Sequence, residues 1–181
     1  MTFFKVIKDE VPTAMSHENT LKVTSPLYLL RSTADCWKCG ANQEVIALAS
    51  RRVIEPDVDQ EDSLGGDDEP MILSNIEQIP EAILSHILAT HPAFEKRTSR
   101  TAGNAYYMNI CSCGAHFGDF YLHSEPGGAF FPDTEEEASG IFVEELPFTG
   151  VFDFRCGYGV GLGAFIFEHG QRRGTQGTAG K

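Results

Sequence analysis

The sequence predicts an α+β fold, mainly antiparallel strands with one principal helix, and three observations predict it. Short runs rich in Val, Ile, Leu, Tyr and Phe recur along the chain between turn-forming residues, the pattern of strands in a half-buried sheet. One stretch, residues 79–90, instead carries Ile79, Ile83 and Ile87 at helical spacing, with Leu84 and Leu88 widening the apolar stripe. Two short cysteine pairs, each followed by glycine, stand between the strand-like runs: Cys36-Trp37-Lys38-Cys39-Gly40 and Cys111-Ser112-Cys113-Gly114.

Taken in order, residues 3–8 and 21–24 alternate weakly and read as short strands. Residues 27–33 form a stronger strand after Pro26, the first cysteine pair follows as a turn, and residues 44–49 return as its partner. Residues 55–69 hold eight carboxylates and no base, with Pro56, Gly65 and Gly66 inside the run, and read as an exposed acidic loop at about 55–70. Pro80 suits the first turn of the 79–90 helix and Pro92 ends it. Gly103-Asn104 turns the chain into the strand 105–110, which delivers Cys111, and residues 117–123 read as the strand leading away. Further strands are expected at 130–131, 141–146, 151–155 and 158–167. In the last of these, Gly157, Gly159, Gly161 and Gly163 would leave one face bare for close packing. The polar residues 170–181 read as a flexible tail, so residues 1–169 constitute a single domain.

The 181 residues suffice to bury a core, so a metal would add to the core and not replace it. Five cysteines, two close pairs plus Cys156, suit a reducing compartment better than a disulfide framework, and Cys156 reads as a small buried apolar residue. With neither a secretory signal nor an apolar run of membrane-spanning length, a cytoplasmic protein is expected. The net charge of −12 is localised. Residues 133–145 add six carboxylates without a base, and outside the two acidic runs the remaining twelve acids face fourteen bases. Such a surface disfavours nucleic acid and favours a protein partner with a basic surface.

Four thiolates from two tight turns match the needs of tetrahedral zinc, and a shell closed by four cysteines leaves no position for water or substrate. The expected ligands are therefore Cys36, Cys39, Cys111 and Cys113, the ion structural, with Lys38 and Arg31 softening the negative charge. The two cysteine-glycine knuckles resemble those of the zinc-ribbon superfamily, in which two knuckled hairpins share a structural zinc ion. That resemblance implies a zinc ribbon assembled from two distant hairpins, and little about function. It departs from the family in the shortened second knuckle and in the 71 residues between Cys39 and Cys111. The departure leaves open whether His116 replaces a thiolate.

Three functional classes follow. The preferred one is a non-enzymatic, zinc-stabilised protein-binding module, either an intracellular inhibitor or immunity-type protein or an adaptor, acting through its acidic segments. The first alternative is a hydrolase: on a strand, Asp119, Tyr121 and His123 share one face, with Glu125 nearby. The second is a nucleic-acid-associated regulator using Arg51, Arg52, Lys96, Arg97 and Arg100. His86 and His91 read as ordinary hydrogen-bonded histidines. Gly159-x-Gly161-x-x-Ala164 matches a dinucleotide fingerprint only formally, because it is expected on a strand and not at a helix start.

Overall fold

The computed structural model describes residues 20–54 and 69–172; the strand expected at 3–8 and nearly all of the acidic loop lie outside them. Strand-forming runs dominate. β1 (Thr20–Thr24) leads into β2 (Leu27–Asp35), which pairs antiparallel with β3 (Asn42–Ser50) in unbroken register from Leu27↔Ser50 to Asp35↔Asn42. β4 (Val53–Ile54) returns against β1, and β5 (Met71–Gln78) joins β3 at Ala49↔Ile72 and Ser50↔Met71. α1 (Glu81–Thr90) follows Pro80 and stops at His91, whose amide closes on the Ile87 carbonyl. Helical spacing thus marked this element correctly.

β6 (Phe94–Thr98), β7 (Ala105–Ile110) and β8 (His116–Phe117) form a separate three-stranded antiparallel sheet. The chain then departs from expectation. Residues 119–123 are the short helix α2 (Asp119–His123), not a strand, because β8 ends after two residues and Gly118 leads into a helical turn. No strand forms at 130–131 either; Phe130 is instead fully buried, its amide bonded to the Leu122 carbonyl.

Residues 133–139 follow a rule legible in the sequence. Thr134 caps α3 (Glu135–Ser139) by accepting from the Glu137 amide at 3.2 Å, while the Glu137 carboxylate accepts from the Asp133 amide at 2.8 Å. This is a capping box displaced by one residue, and the three glutamates of the first turn lie at the favourable end of the helix dipole. Part of the second acidic run therefore has a local structural role.

β9 (Phe142–Glu145) pairs with β2, and β10 (Val151–Gly159) lies between β1 and β5, its register with β5 shifting around Cys156. The strand expected at 158–167 gives way to α4 (Leu162–His169) after Gly161, which adopts φ +97°. Gly163 sits where an added Cβ would lie 1.9 Å from the Pro70 carbonyl oxygen, so the helix start presses directly on backbone. β11 (Gln171–Arg172) then pairs parallel with β9, so the first residues after Gly170 are paired strand and not free tail; residues 173–181 lie outside the described part.

The resulting eight-stranded sheet, ordered β11-β9-β2-β3-β5-β10-β1-β4, is covered on both faces. Alternating residues explain how. Leu29, Ile46 and Leu48 pack with Ile83 and Ile87 of α1 and with Phe154 and Cys156 of β10, whereas Leu30, Val45 and Ala47 pack with Phe117, Leu122, Phe130 and Ile166. The second cluster also contains Cys36 and Cys111. Asn109 of β7, buried among these strands, ties the small sheet to the large one.

Candidate metal centre

Each cysteine pair is presented by a hairpin, the first by β2–β3 and the second by β7–β8. In the first turn the Cys36 amide donates to the Ala41 carbonyl at 2.9 Å and the Gly40 amide to the Cys36 carbonyl at 2.8 Å. The second turn repeats this with one residue fewer: Cys111 donates to Ala115 at 2.7 Å and Gly114 to Cys111 at 2.8 Å. Gly40 at φ +71° and Gly114 at φ +81° take the left-handed conformation that reverses each chain. Space is not the reason for either glycine, since a Cβ would meet nothing within 4 Å. The missing residue in the second pair is thus absorbed by a tighter turn that ends in the same way.

The turns bring all four sulfurs together. Cys36 Sγ lies 3.7 Å from Cys113 Sγ, Cys39 Sγ lies 3.6 Å from Cys111 Sγ, and all four lie within 4.8 Å of one another. Disulfides would require about 2.05 Å. Four thiolates around zinc at about 2.3 Å would stand about 3.8 Å apart along each tetrahedral edge. The donor set therefore fits a tetrahedral soft metal ion. Cys36 and Cys111 are buried while Cys39 and Cys113 are exposed, which places the cluster at the boundary between core and surface.

The local electrostatics describe thiols that cannot all ionise alone. Desolvation raises the Cys36 thiol, but the amides of Cys39 and Lys38 and the sulfurs of Cys111 and Cys39 outweigh it and bring it down to about 6. At Cys39 the Ala41 amide favours the thiolate, yet the sulfurs of Cys113 and Cys111 hold its proton and push it up to about 12. A cation is what would let all four release their protons together. Arg31 does not serve as the expected counter-charge, being paired with Glu44 at 4.0 Å and Glu144 at 3.8 Å. His116 stands outside the sulfur cluster; its carbonyl accepts the Trp37 indole N–H at 3.0 Å, a second link between the two knuckles.

Asp119 and His123 do not share a strand face, because they lie one turn apart on α2. Asp119 is buried and accepts the Asn75 amide at 2.6 Å, where Asn75 adopts φ +48°. Burial pushes its carboxyl up to about 7 against the lowering effect of that amide. His123 packs against Phe130 at 5.6 Å, its Nδ1 is sealed without a hydrogen-bond partner among the described residues, and burial brings it down to about 4. Tyr121 is exposed. His86 stacks edge-on with Phe148 and His91 pairs with Glu44 at 3.1 Å. The proposed basic group divides between the sheets, Arg51 and Arg52 following β3 while Lys96 and Arg97 lie on β6. Sequence reasoning missed Asn109 and Trp37 as the groups that join the two knuckles.

No protein-family model matches the chain, and no curated protein or solved structure matches it. The fold and site define a strand-dominated α/β domain with a four-cysteine cluster suited to a metal ion. No helix among the described residues is long and apolar enough to cross a membrane.

Proposed function

We propose that Cys36, Cys39, Cys111 and Cys113 hold one structural zinc ion in the manner of a zinc ribbon, and that the domain so fixed is a non-enzymatic protein-binding module. The observation that carries the metal assignment is the mutual approach of four sulfurs from two distant hairpins, with edges of 3.6 and 3.7 Å. A shell closed by four thiolates offers no open position for substrate, which favours a structural over a catalytic role. Such an ion would supply cross-linking, tying residues 72 positions apart in sequence at the point where the second core cluster meets the surface. The binding role rests on charge. Glu135 and Glu136 are exposed on α3 beside further carboxylates, and a basic protein surface is the complementary partner. An inhibitor or immunity-type protein that covers a basic enzyme, or an adaptor, fits that chemistry in a cytoplasmic setting.

Two measurements test the reading separately. Elemental analysis of untagged protein should give one zinc per chain. Capture from native lysate should return a basic protein whose retention falls steeply with salt and with Glu135→Gln/Glu136→Gln; retention indifferent to both would overturn the binding role. The hydrolase alternative is weakened by the placement of Asp119, whose carboxylate is engaged by the Asn75 amide inside the fold.

A further inference from the structure

The four cysteines differ in exposure, and their contacts follow that difference. Cys39 and Cys113 are exposed, whereas Cys36 and Cys111 are buried. The contact of 3.7 Å joins Cys36 to Cys113 and that of 3.6 Å joins Cys39 to Cys111. Each therefore couples one exposed sulfur to one buried sulfur, and each runs between the knuckles instead of within one. An exposed thiolate is open to a small oxidant arriving from water. Its buried partner is screened from solvent but already lies beside the sulfur that would be oxidised.

The knuckles are also held face to face by contacts that involve no sulfur. Asn109 bonds both backbone groups of Ile46, and the Trp37 indole N–H donates to the His116 carbonyl at 3.0 Å. A disulfide at about 2.05 Å thus asks each crosswise pair to close by roughly 1.6 Å with the hairpins left in place. Sequence separation distinguishes the possible products. Crosswise bonds join residues 77 and 72 positions apart and keep the hairpins tethered. Bonds within a knuckle would close only a short turn, with little constraint on the rest of the chain.

We propose that the site is a peroxide-sensitive clasp, in which oxidation exchanges the metal for the disulfides Cys36–Cys113 and Cys39–Cys111 and so preserves the link between the hairpins. The inference rests on the zinc reading given above. The thiolate of Cys113 or Cys39 attacks one oxygen of hydrogen peroxide, the O–O bond breaks, hydroxide leaves, and the cysteine becomes a sulfenic acid. The thiolate of its buried partner, Cys36 or Cys111, then attacks that sulfur; the S–S bond forms, the S–O bond breaks and a second hydroxide leaves. Each disulfide passes two electrons from sulfur to one peroxide. Once both have formed, no thiolate remains to hold a cation, and a dithiol reductant returns the electrons and restores the shell.

Full-length protein, its zinc content measured first, is treated with a modest excess of hydrogen peroxide in the presence of a chromogenic zinc indicator. Complete release of zinc is expected, reversed by dithiothreitol and added zinc. Trypsin cuts after Lys38 and places Cys36 and Cys39 on separate peptides, so non-reducing mass spectrometry with fragmentation reads the pairing. It should find Cys36 linked to Cys113 and Cys39 to Cys111, with Cys156, buried in the other core cluster, still a thiol. The oxidised, metal-free protein should melt above the reduced, metal-free protein, because its hairpins remain joined. Zinc retained under peroxide, bonds confined to Cys36–Cys39 and Cys111–Cys113, or sulfinic acids in place of disulfides would overturn the inference. Absence of zinc in the starting material overturns the metal reading itself, and is seen before any oxidant is added.

Discussion

Asn109 makes two hydrogen bonds to the backbone of Ile46: its Oδ1 accepts from the Ile46 amide at 2.9 Å and its Nδ2 donates to the Ile46 carbonyl at 2.9 Å. The amide side chain thus does for β3 what a neighbouring strand would do. It acts where β5, whose pairing with β3 is confined to Ala49 and Ser50, no longer covers the β3 edge. Asn109 lies two residues before Cys111, and Ile46 lies seven after Cys39, so this bracket sets how the two hairpins face each other.

Asn109→Leu should therefore cost about 2–6 kcal/mol, because it leaves a buried N–H and a buried C=O unpaired, at about 1–3 kcal/mol each. Asn109→Asp, which keeps the acceptor and loses the donor, should also destabilise. Denaturant titration measures both. Competition with a zinc chelator should show weakened metal retention in the same variants, and unchanged retention would separate the bracket from the cysteine geometry.

Removal of the metal should loosen the hairpins before the sheet. On treatment with a strong chelator the thermal midpoint is expected to fall, with amide exchange accelerating first around residues 36–41 and 111–116. Cys111→Ser, at a buried position, should lose zinc at least as readily as Cys113→Ser, at an exposed one. Exchange mass spectrometry and metal analysis check the order.

The pair on α2 predicts a specific pH dependence. Asp119 titrates at about 7 when folded and near 4 when unfolded, so burial makes its ionisation costly: stability is greatest below about pH 4 and declines as pH rises through about 7. His123 behaves oppositely, with a folded value of about 4 against about 6.5 unfolded, so its contribution is present above about pH 6.5 and is lost as pH falls through about 4. Between those limits the two oppose each other. Asp119→Asn should remove a decline on the order of 3–4 kcal/mol toward neutral pH, and His123→Phe should remove the loss on acidification. Unfolding midpoints at pH 5 and pH 8 read both signs.

The glycines of the β10–α4 segment should respond unequally to alanine. Gly163→Ala would place a Cβ 1.9 Å from backbone oxygen of Pro70, and a cost of about 3 kcal/mol is expected. Gly159→Ala meets nothing within 4 Å at an ordinary backbone angle and should be neutral or slightly stabilising. Thermal denaturation of the two variants checks the contrast; equal effects would show that α4 does not press on Pro70.

What the sequence determined by itself is whatever local chemistry dictates. The Cys-Gly turns announce their knuckles because a left-handed glycine after the second cysteine reverses the chain in either turn length, and Ile79, Ile83 and Ile87 announce α1 because one face repeats. The capping box at Thr134–Glu137 is equally local, a threonine followed three residues later by a glutamate. Tertiary structure alone decided α2 and α4. A five-residue helix such as α2 is too short to be stable by itself, and it exists because Leu122 packs beside Phe117 and Phe130. Tertiary structure also decided how the two hairpins that carry the cysteine pairs are held against each other, since a single polar residue in a strand, Asn109, carries no periodic signal and acquires its meaning only when an unpaired backbone edge lies opposite it.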